Sequence, residues 1–201
     1  MSITHGNILA VFFSASQAEI QEGRAWYDQA DLACRAIAET YNVEGGHQRV
    51  AAIIAALSPN NRWDRNVRDA EALIKAYTFG ADLDAIKVST YSKNKNKAIR
   101  ILNGEAIEDV LGGLKVIAFY NCISGGDDVC VDGHAFSIWT GQRISTTKTP
   151  KISPKLYGQI AHDYRIATFT INKITGDCLI PSQVQAITWI TWRNLYGNSK
   201  A

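Results

Sequence analysis

Apolar positions recur along this chain at helical spacing, and glycines and prolines cut the pattern into short pieces. From His47 to Leu57, the residues Val50, Ile53, Ile54 and Leu57 fall at i, i+3, i+4 and i+7, the stripe that one helix face presents to a core. Pro59 ends that run, and Ser58-Pro59-Asn60-Asn61 is loop chemistry. Val67, Ala70, Ile74 and Tyr77 form a second stripe, closed at Gly80. A polar stretch from Ser89 to Lys97 leads into Ala98–Leu102, with Gly104 as a cap. Gly112-Gly113 interrupts the chain before an apolar helix, Leu114–Ile123. Gly125-Gly126 opens a loop, Asp132 starts a helix that stops near Gly141, and Pro154 opens one running to about Ile171. Pro181 and Gly197 bracket the last element. Its β-branched residues between Val184 and Trp192 could alternate as a strand, but sixteen residues between a start and a stop signal favour helix.

The pattern therefore predicts an all-α fold, a single helical domain over residues 1–201, with two lobes and a central cleft as an open elaboration. There is no internal repeat, and the longest irregular piece is Gln142–Ser153. Composition narrows the class. With 46% hydrophobic and 20% charged residues in 201, the chain can bury a core and is not of the disordered type. No apolar run reaches the roughly 18 residues that a spanning helix needs. The opening Met1–Gln17 stretch has an apolar centre but no basic region and no cleavage site, and reads as mature protein in the cytosol, with no membrane partner. Cys34, Cys122, Cys130 and Cys178 are scattered without a CxxC pair. They read as free buried thiols and argue against an iron–sulfur centre or a zinc ribbon.

The net charge of +2 decides nothing until it is divided. Residues 1–59 carry three basic and six acidic groups, 60–100 nine and five, 101–150 three and six, and 151–201 six and two. Two basic stretches flank an acidic one, as in a polyanion-binding protein with an acidic catalytic floor, although solvated helix faces give the same sums. The signatures of P-loop, zincin, α/β-hydrolase and zinc-deaminase chemistry are absent. Asp127, Asp128 and Asp132 cluster near His134, but the spacing fits no calcium loop. Neither metal nor cofactor is expected.

Three passages carry the candidate chemistry. The first is Ala56-Leu-Ser-Pro-Asn-Asn-Arg-Trp-Asp-Arg-Asn66. The second is Ser89-Thr-Tyr-Ser-Lys-Asn-Lys-Asn-Lys-Ala-Ile-Arg-Ile-Leu102. The third runs Val110-Leu-Gly-Gly-Leu-Lys-Val-Ile-Ala-Phe-Tyr-Asn-Cys-Ile-Ser124 and then Val129-Cys-Val-Asp-Gly-His-Ala-Phe-Ser-Ile-Trp139. Over residues 46–196 this order resembles the helix-hairpin-helix DNA glycosylase superfamily, the endonuclease III and adenine-glycosylase group. In that family a Leu-Ser-Xaa-Gln-like loop precedes a Tyr-Asn-Ser-Lys-Ala-like helix start, a Leu-Pro-Gly-Val-Gly-like hairpin and a Val-Asp-Thr-His-like turn. Strings such as Val131-Asp-Gly-His-Ala135 and Gln185-Ala-Ile-Thr-Trp-Ile-Thr-Trp-Arg193 are also similar to a phage and prophage branch, which would place the protein in a bacterial host cell.

The resemblance implies that Asp132 is the catalytic carboxylate, stabilising positive charge on a sugar as an N-glycosidic bond breaks. As a competing role, Asp132 reads as the N-cap of a helix over Gly133–Trp139, and the two roles are compatible. His134 would orient the carboxylate, or simply cap and pack. Lys115 corresponds to the lysine with which bifunctional members form a Schiff base. Counted back from Asp132 it is one residue out of register, and counted from Leu111 it stands where the second hairpin glycine falls. A phosphate contact or a solvated lysine is the alternative, and monofunctional hydrolysis follows more naturally. Gly112 and Gly113 would bring hairpin amides to a phosphate.

By the same resemblance Asn60 would fill the hole left by a flipped base, with Asn61 and Arg62 beside it. Thr90 and Tyr91 would form the opposing wedge, and Lys93, Lys95 and Lys97 would contact phosphates. Tyr120 and Trp139 would line a base pocket. Trp63, Trp189 and Trp192 read as core, with Arg193 toward solvent. The implied activity is hydrolysis of the N-glycosidic bond of a modified or damaged base in DNA by a monomeric enzyme. Two alternatives stand beside it. One is an enzyme on the same scaffold that transfers an amine or amino acid onto a pyrophosphorylated 5-hydroxymethyluracil base. The other is a non-catalytic DNA-binding helical module.

Overall fold

The computed structural model describes residues 4–145 and 148–197. Among the described residues the chain is all-helical: α1 Thr4–Phe13, α2 Gln17–Thr40, α3 Gly46–Leu57, α4 Trp63–Thr78, α5 Ser92–Leu102, α6 Ile107–Val110, α7 Leu114–Ile123, α8 Gly133–Thr140, α9 Pro154–Thr175 and α10 Pro181–Tyr196. Local chemistry accounts for several of these boundaries. Ser16 and Glu19 form a capping box at α2: the Ser16 N–H donates to the Glu19 carboxylate at 2.7 Å, and the Glu19 N–H donates to the Ser16 hydroxyl at 3.3 Å. Ser153 caps α9 by accepting the Leu156 N–H at 3.2 Å, with Pro154 following in the first turn. Helix α9 continues a turn past Ile171, to Thr175. Thr146 and Thr147 of the irregular segment lie outside the described residues.

The helices form two compact units, a terminal one of Met1–Tyr27 with Asp127–Ala201 and a middle one of Asp28–Gly126. In the terminal unit α1 packs on α8, α9 and α10, and α10 on α8 and α9. Its interior holds Ile8, Phe12, Val129, Ala135, Ile138, Ile160, Tyr164, Ile171, Val184 and Ile187. Gly23 lies in this unit at a point where a Cβ would stand 2.5 Å from the Ile187 Cα, so only glycine lets those backbones approach.

In the middle unit α3 packs on α4, α5 and α7, and every residue from Val50 to Leu57 is buried. The stripe expected to be one face of α3 thus lies in a stretch of that helix, Val50–Leu57, that is buried all round. The second stripe is rotated from its expectation: α4 buries Asn66, Ala70, Leu73 and Ile74, while Tyr77 is exposed. Asn66 stays inside because its amide donates to the Ile54 carbonyl at 2.9 Å, which lets a polar side chain replace an apolar one at that depth. Of the four thiols, Cys34, Cys122 and Cys130 are buried, but Cys178, expected inside, is exposed in the loop between α9 and α10. No helix among the described residues is long and apolar enough to cross a membrane.

Candidate functional site

The terminal unit positions Asp132 through the segment that leads into α8. The Tyr157 hydroxyl donates to the Val129 carbonyl at 2.8 Å and accepts the Val131 N–H at 3.1 Å, fixing the two residues either side of Cys130. Asp132 then caps α8, its Oδ1 accepting the Ala135 N–H at 2.8 Å. Its Oδ2 accepts the indole N–H of Trp189 at 3.3 Å. Both oxygens therefore have a donor, yet Asp132 is only half-buried, and a carboxylate retains further lone-pair sites. Beneath it lies Tyr164, whose hydroxyl sits 3.5 Å from that of Thr188. Burial pushes the Tyr164 hydroxyl well above the usual tyrosine range, and the Asp132 charge adds to the effect, so this hydroxyl stays protonated.

Trp189 is the residue that sequence reasoning misplaced. Expected in the core, it is half-buried, and its ring is contacted from several sides. His134 meets it nearly edge-on at 6.1 Å between centroids, Trp26 at 6.3 Å, and the Arg193 guanidinium lies 4.2 Å from its centroid. Arg193 is half-buried rather than turned to solvent. The ring contact of His134 is thus with the residue that holds the carboxylate. The i,i+4 spacing of Trp189 and Arg193 was readable as a shared helix face. That this face meets Asp132 was not. Trp139 lies further along α8, tilted against Phe136 at 6.2 Å, with its indole N–H donated to Asp163 at 2.7 Å.

The neighbouring acids have structural duties. Asp127 accepts the Ser182 N–H at 3.2 Å in the first turn of α10, and Asp128 pairs with Arg165 at 3.4 Å. Among the described residues no three His, Cys, Asp or Glu side chains converge as a metal-binding group.

In the middle unit the loop after α3 meets the loop before α5. The Asn60 amide donates to the Tyr91 hydroxyl at 2.7 Å, and the Thr90 hydroxyl donates to the Pro59 carbonyl at 2.8 Å. Asp69, which no sequence signal marked, ties the two together. Its Oδ2 accepts the Asn61 amide at 3.0 Å and the Ser89 N–H at 2.7 Å. Asn94 donates to Thr90 at 2.8 Å from within α5. Asn60 holds a left-handed backbone with φ 60°, which asparagine tolerates better than most residues. Asn60 and Tyr91 stay exposed, and Arg62, also exposed, stands at the N-cap of α4.

The three lysines of α5 do not act alike. Lys93 lies 5.7 Å over the Tyr91 ring, and the Lys97 ammonium is beside Gly112. Lys95 falls on a different face, its ammonium donated to the Asp84 carbonyl at 2.9 Å. Gly112 and Gly113 form the turn between α6 and α7, with Gly113 at φ 87°, a conformation natural to glycine alone. Lys115 is exposed in the first turn of α7. Tyr120, two turns in, is half-buried, its hydroxyl raised above the usual range by burial and then by Glu108.

These observations define an all-helical protein of two compact units, one presenting a doubly held carboxylate and the other a hydrogen-bonded pair of loops. Over residues 2–196 the chain matches DUF7178, a family of unknown function, and it belongs to that family. No curated protein and no solved structure matches it.

Proposed function

We propose that the protein is a DNA glycosylase-like enzyme of the helix-hairpin-helix kind, which extrudes a nucleotide and hydrolyses its N-glycosidic bond with Asp132 as the catalytic carboxylate. The observation that carries this reading is the double anchoring of Asp132. A carboxylate held by the Ala135 N–H and the Trp189 indole, yet half-open, is pre-organised to face positive charge developing on a sugar. In the reaction the C1′–N bond breaks and its electron pair leaves with the base. A water oxygen bonds C1′, and one proton of that water passes to Asp132 and on to the departing base. The products are a free base and an abasic sugar.

The middle unit supports the DNA-binding half of the reading. Asn60 and Tyr91, joined by one hydrogen bond and both exposed, suit a wedge that replaces lost stacking. Lys93, Lys97, Lys115 and Arg62 offer phosphate contacts, and the Gly112-Gly113 turn presents backbone close to Lys97. Lys95 commits one of its three donors to the Asp84 carbonyl, and Trp139 commits its indole N–H to Asp163.

The test is to incubate the protein with duplexes carrying uracil, oxidised, alkylated and 5-substituted pyrimidines. Released base and abasic sites are then sought by mass spectrometry. Release that Asp132→Asn abolishes is the expected result. No release from any duplex, with a mass gain on a pyrophosphorylated 5-hydroxymethyl pyrimidine given an amine, overturns hydrolysis in favour of transfer. Binding with neither product overturns catalysis altogether.

A further inference from the structure

Trp189 is a large aromatic side chain that is not fully buried, although most of its neighbours on α10 are. An indole kept at the edge of a core is best explained by what its single N–H donor does. Here that donor ends on Asp132 Oδ2 at 3.3 Å, 57 residues away in the chain. The ring is fixed from three further directions by His134, Trp26 and Arg193. A single bond from the Ala135 N–H to Oδ1 would leave the carboxylate free to turn about its last side-chain torsion. A second donor on the other oxygen removes that freedom. The Arg193 guanidinium also lies over the indole face, where a cation draws electron density and makes the N–H a stronger donor.

We infer that Trp189 is a positioning residue for the Asp132 carboxylate and that Arg193 acts on that carboxylate through the Trp189 ring. This rests on Asp132 being the catalytic group of the proposed function. The geometry itself can be tested without that assumption.

The experiment follows the indole N–H cross-peaks of the five tryptophans in nitrogen-15-labelled full-length protein, assigned by single Trp→Phe substitutions. Asp132→Asn keeps a side-chain acceptor for the Ala135 N–H but offers Trp189 a weaker one. The Trp189 cross-peak is expected to move upfield, and Arg193→Gln to move it the same way by less. The Trp139 cross-peak, whose acceptor is Asp163, serves as the internal control and stays in place. A Trp189 cross-peak that ignores both substitutions overturns the inference. If Asp132→Asn disturbs the fold, the Trp139 cross-peak moves as well, and Arg193→Gln alone decides.

The functional arm uses Trp189→Phe, which keeps a ring and removes the donor. It is expected to lower kcat for base release roughly tenfold with KM little changed, the loss of one hydrogen bond to a charged group. An unchanged kcat overturns the positioning role even where the cross-peaks confirm the bond. A wild-type protein that releases no base overturns the glycosylase reading and leaves the indole–carboxylate bond to be decided by the cross-peaks.

Discussion

Trp139 and Trp189 each donate an indole N–H to an aspartate within the terminal unit, and the two pairs differ in almost everything else. The Trp139 bond to Asp163 is 2.7 Å long, and its carboxylate sits well inside α9 with 9% exposure. The Trp189 bond to Asp132 is 3.3 Å long, and its carboxylate is half-open at the start of α8. In the first pair the carboxylate is buried, and removing it leaves the Trp139 N–H short of its acceptor in a setting where that is costly. In the second the carboxylate is half-open to water, so the bond acts chiefly on its orientation. The same residue types, 24 positions apart in one pair and 57 in the other, thus serve stability in one place and geometry in the other. What separates them is access to solvent and the start of a helix.

Breaking the comparison begins with Asp132→Asn. Base release is expected to fall by about 10²–10⁴-fold, the range for loss of a positioned acid–base group. Stability should change by only a few tenths of a kcal/mol, because asparagine caps helices about as well as aspartate. A large drop in the denaturant midpoint with activity intact per folded molecule would make Asp132 the structural partner and reverse the contrast.

Asp163→Ala is the converse. It leaves the Trp139 N–H short of an acceptor and should cost about 1–3 kcal/mol in urea unfolding, while base release per folded molecule stays at the wild-type level. Lost activity in a stable variant would place Asp163 in the site.

Burial can be read in the middle unit through Cys34. Desolvation, with the nearby Asp31 charge, pushes its thiol from an ordinary 9.0 up to about 12. A folded-state pKa above the unfolded one means that the stability is fully present below pH 9 and is lost as pH rises toward 12. The Cys34 contribution should fall by up to about 1.4 kcal/mol per pH unit in that window. Urea melts at rising pH, compared with Cys34→Ala, isolate it. In the native state a thiol reagent should label Cys178 and spare Cys34. The smallest effect is expected from Asn60→Gly, which keeps the left-handed backbone and removes only the exposed bond to Tyr91. DNA affinity should drop a few-fold, about 1 kcal/mol or less, with little change in melting.

Much of the fold was legible along the chain, because helix ends are set by neighbours in sequence. Pro59, Gly80, Pro154, Pro181 and Gly141 mark boundaries that the structure keeps. Asp132 could be recognised as a cap from Asp-Gly-His-Ala alone, since the bond it makes spans three residues. Burial was harder to read. Nothing local says that α3 is surrounded rather than laid on a surface, nor that Asn66 goes inside while Tyr77 stays out. Asp69 was invisible for the same reason: its partners Asn61 and Ser89 lie 8 and 20 residues away, on loops that only folding brings together.

The sequence by itself determined that this is a helical protein, where most of its helices begin and end, and that Asp132 stands at the head of one. Backbone sterics and first-turn hydrogen bonds are short-range, and a reading of neighbours captures them. The tertiary structure decided which indole each carboxylate meets. Trp139 finds Asp163 across 24 positions and Trp189 finds Asp132 across 57, and in both cases the packing of α8, α9 and α10 sets the meeting. Side-chain partnership of that kind depends on how whole helices dock, a sum of many apolar contacts that no single motif records.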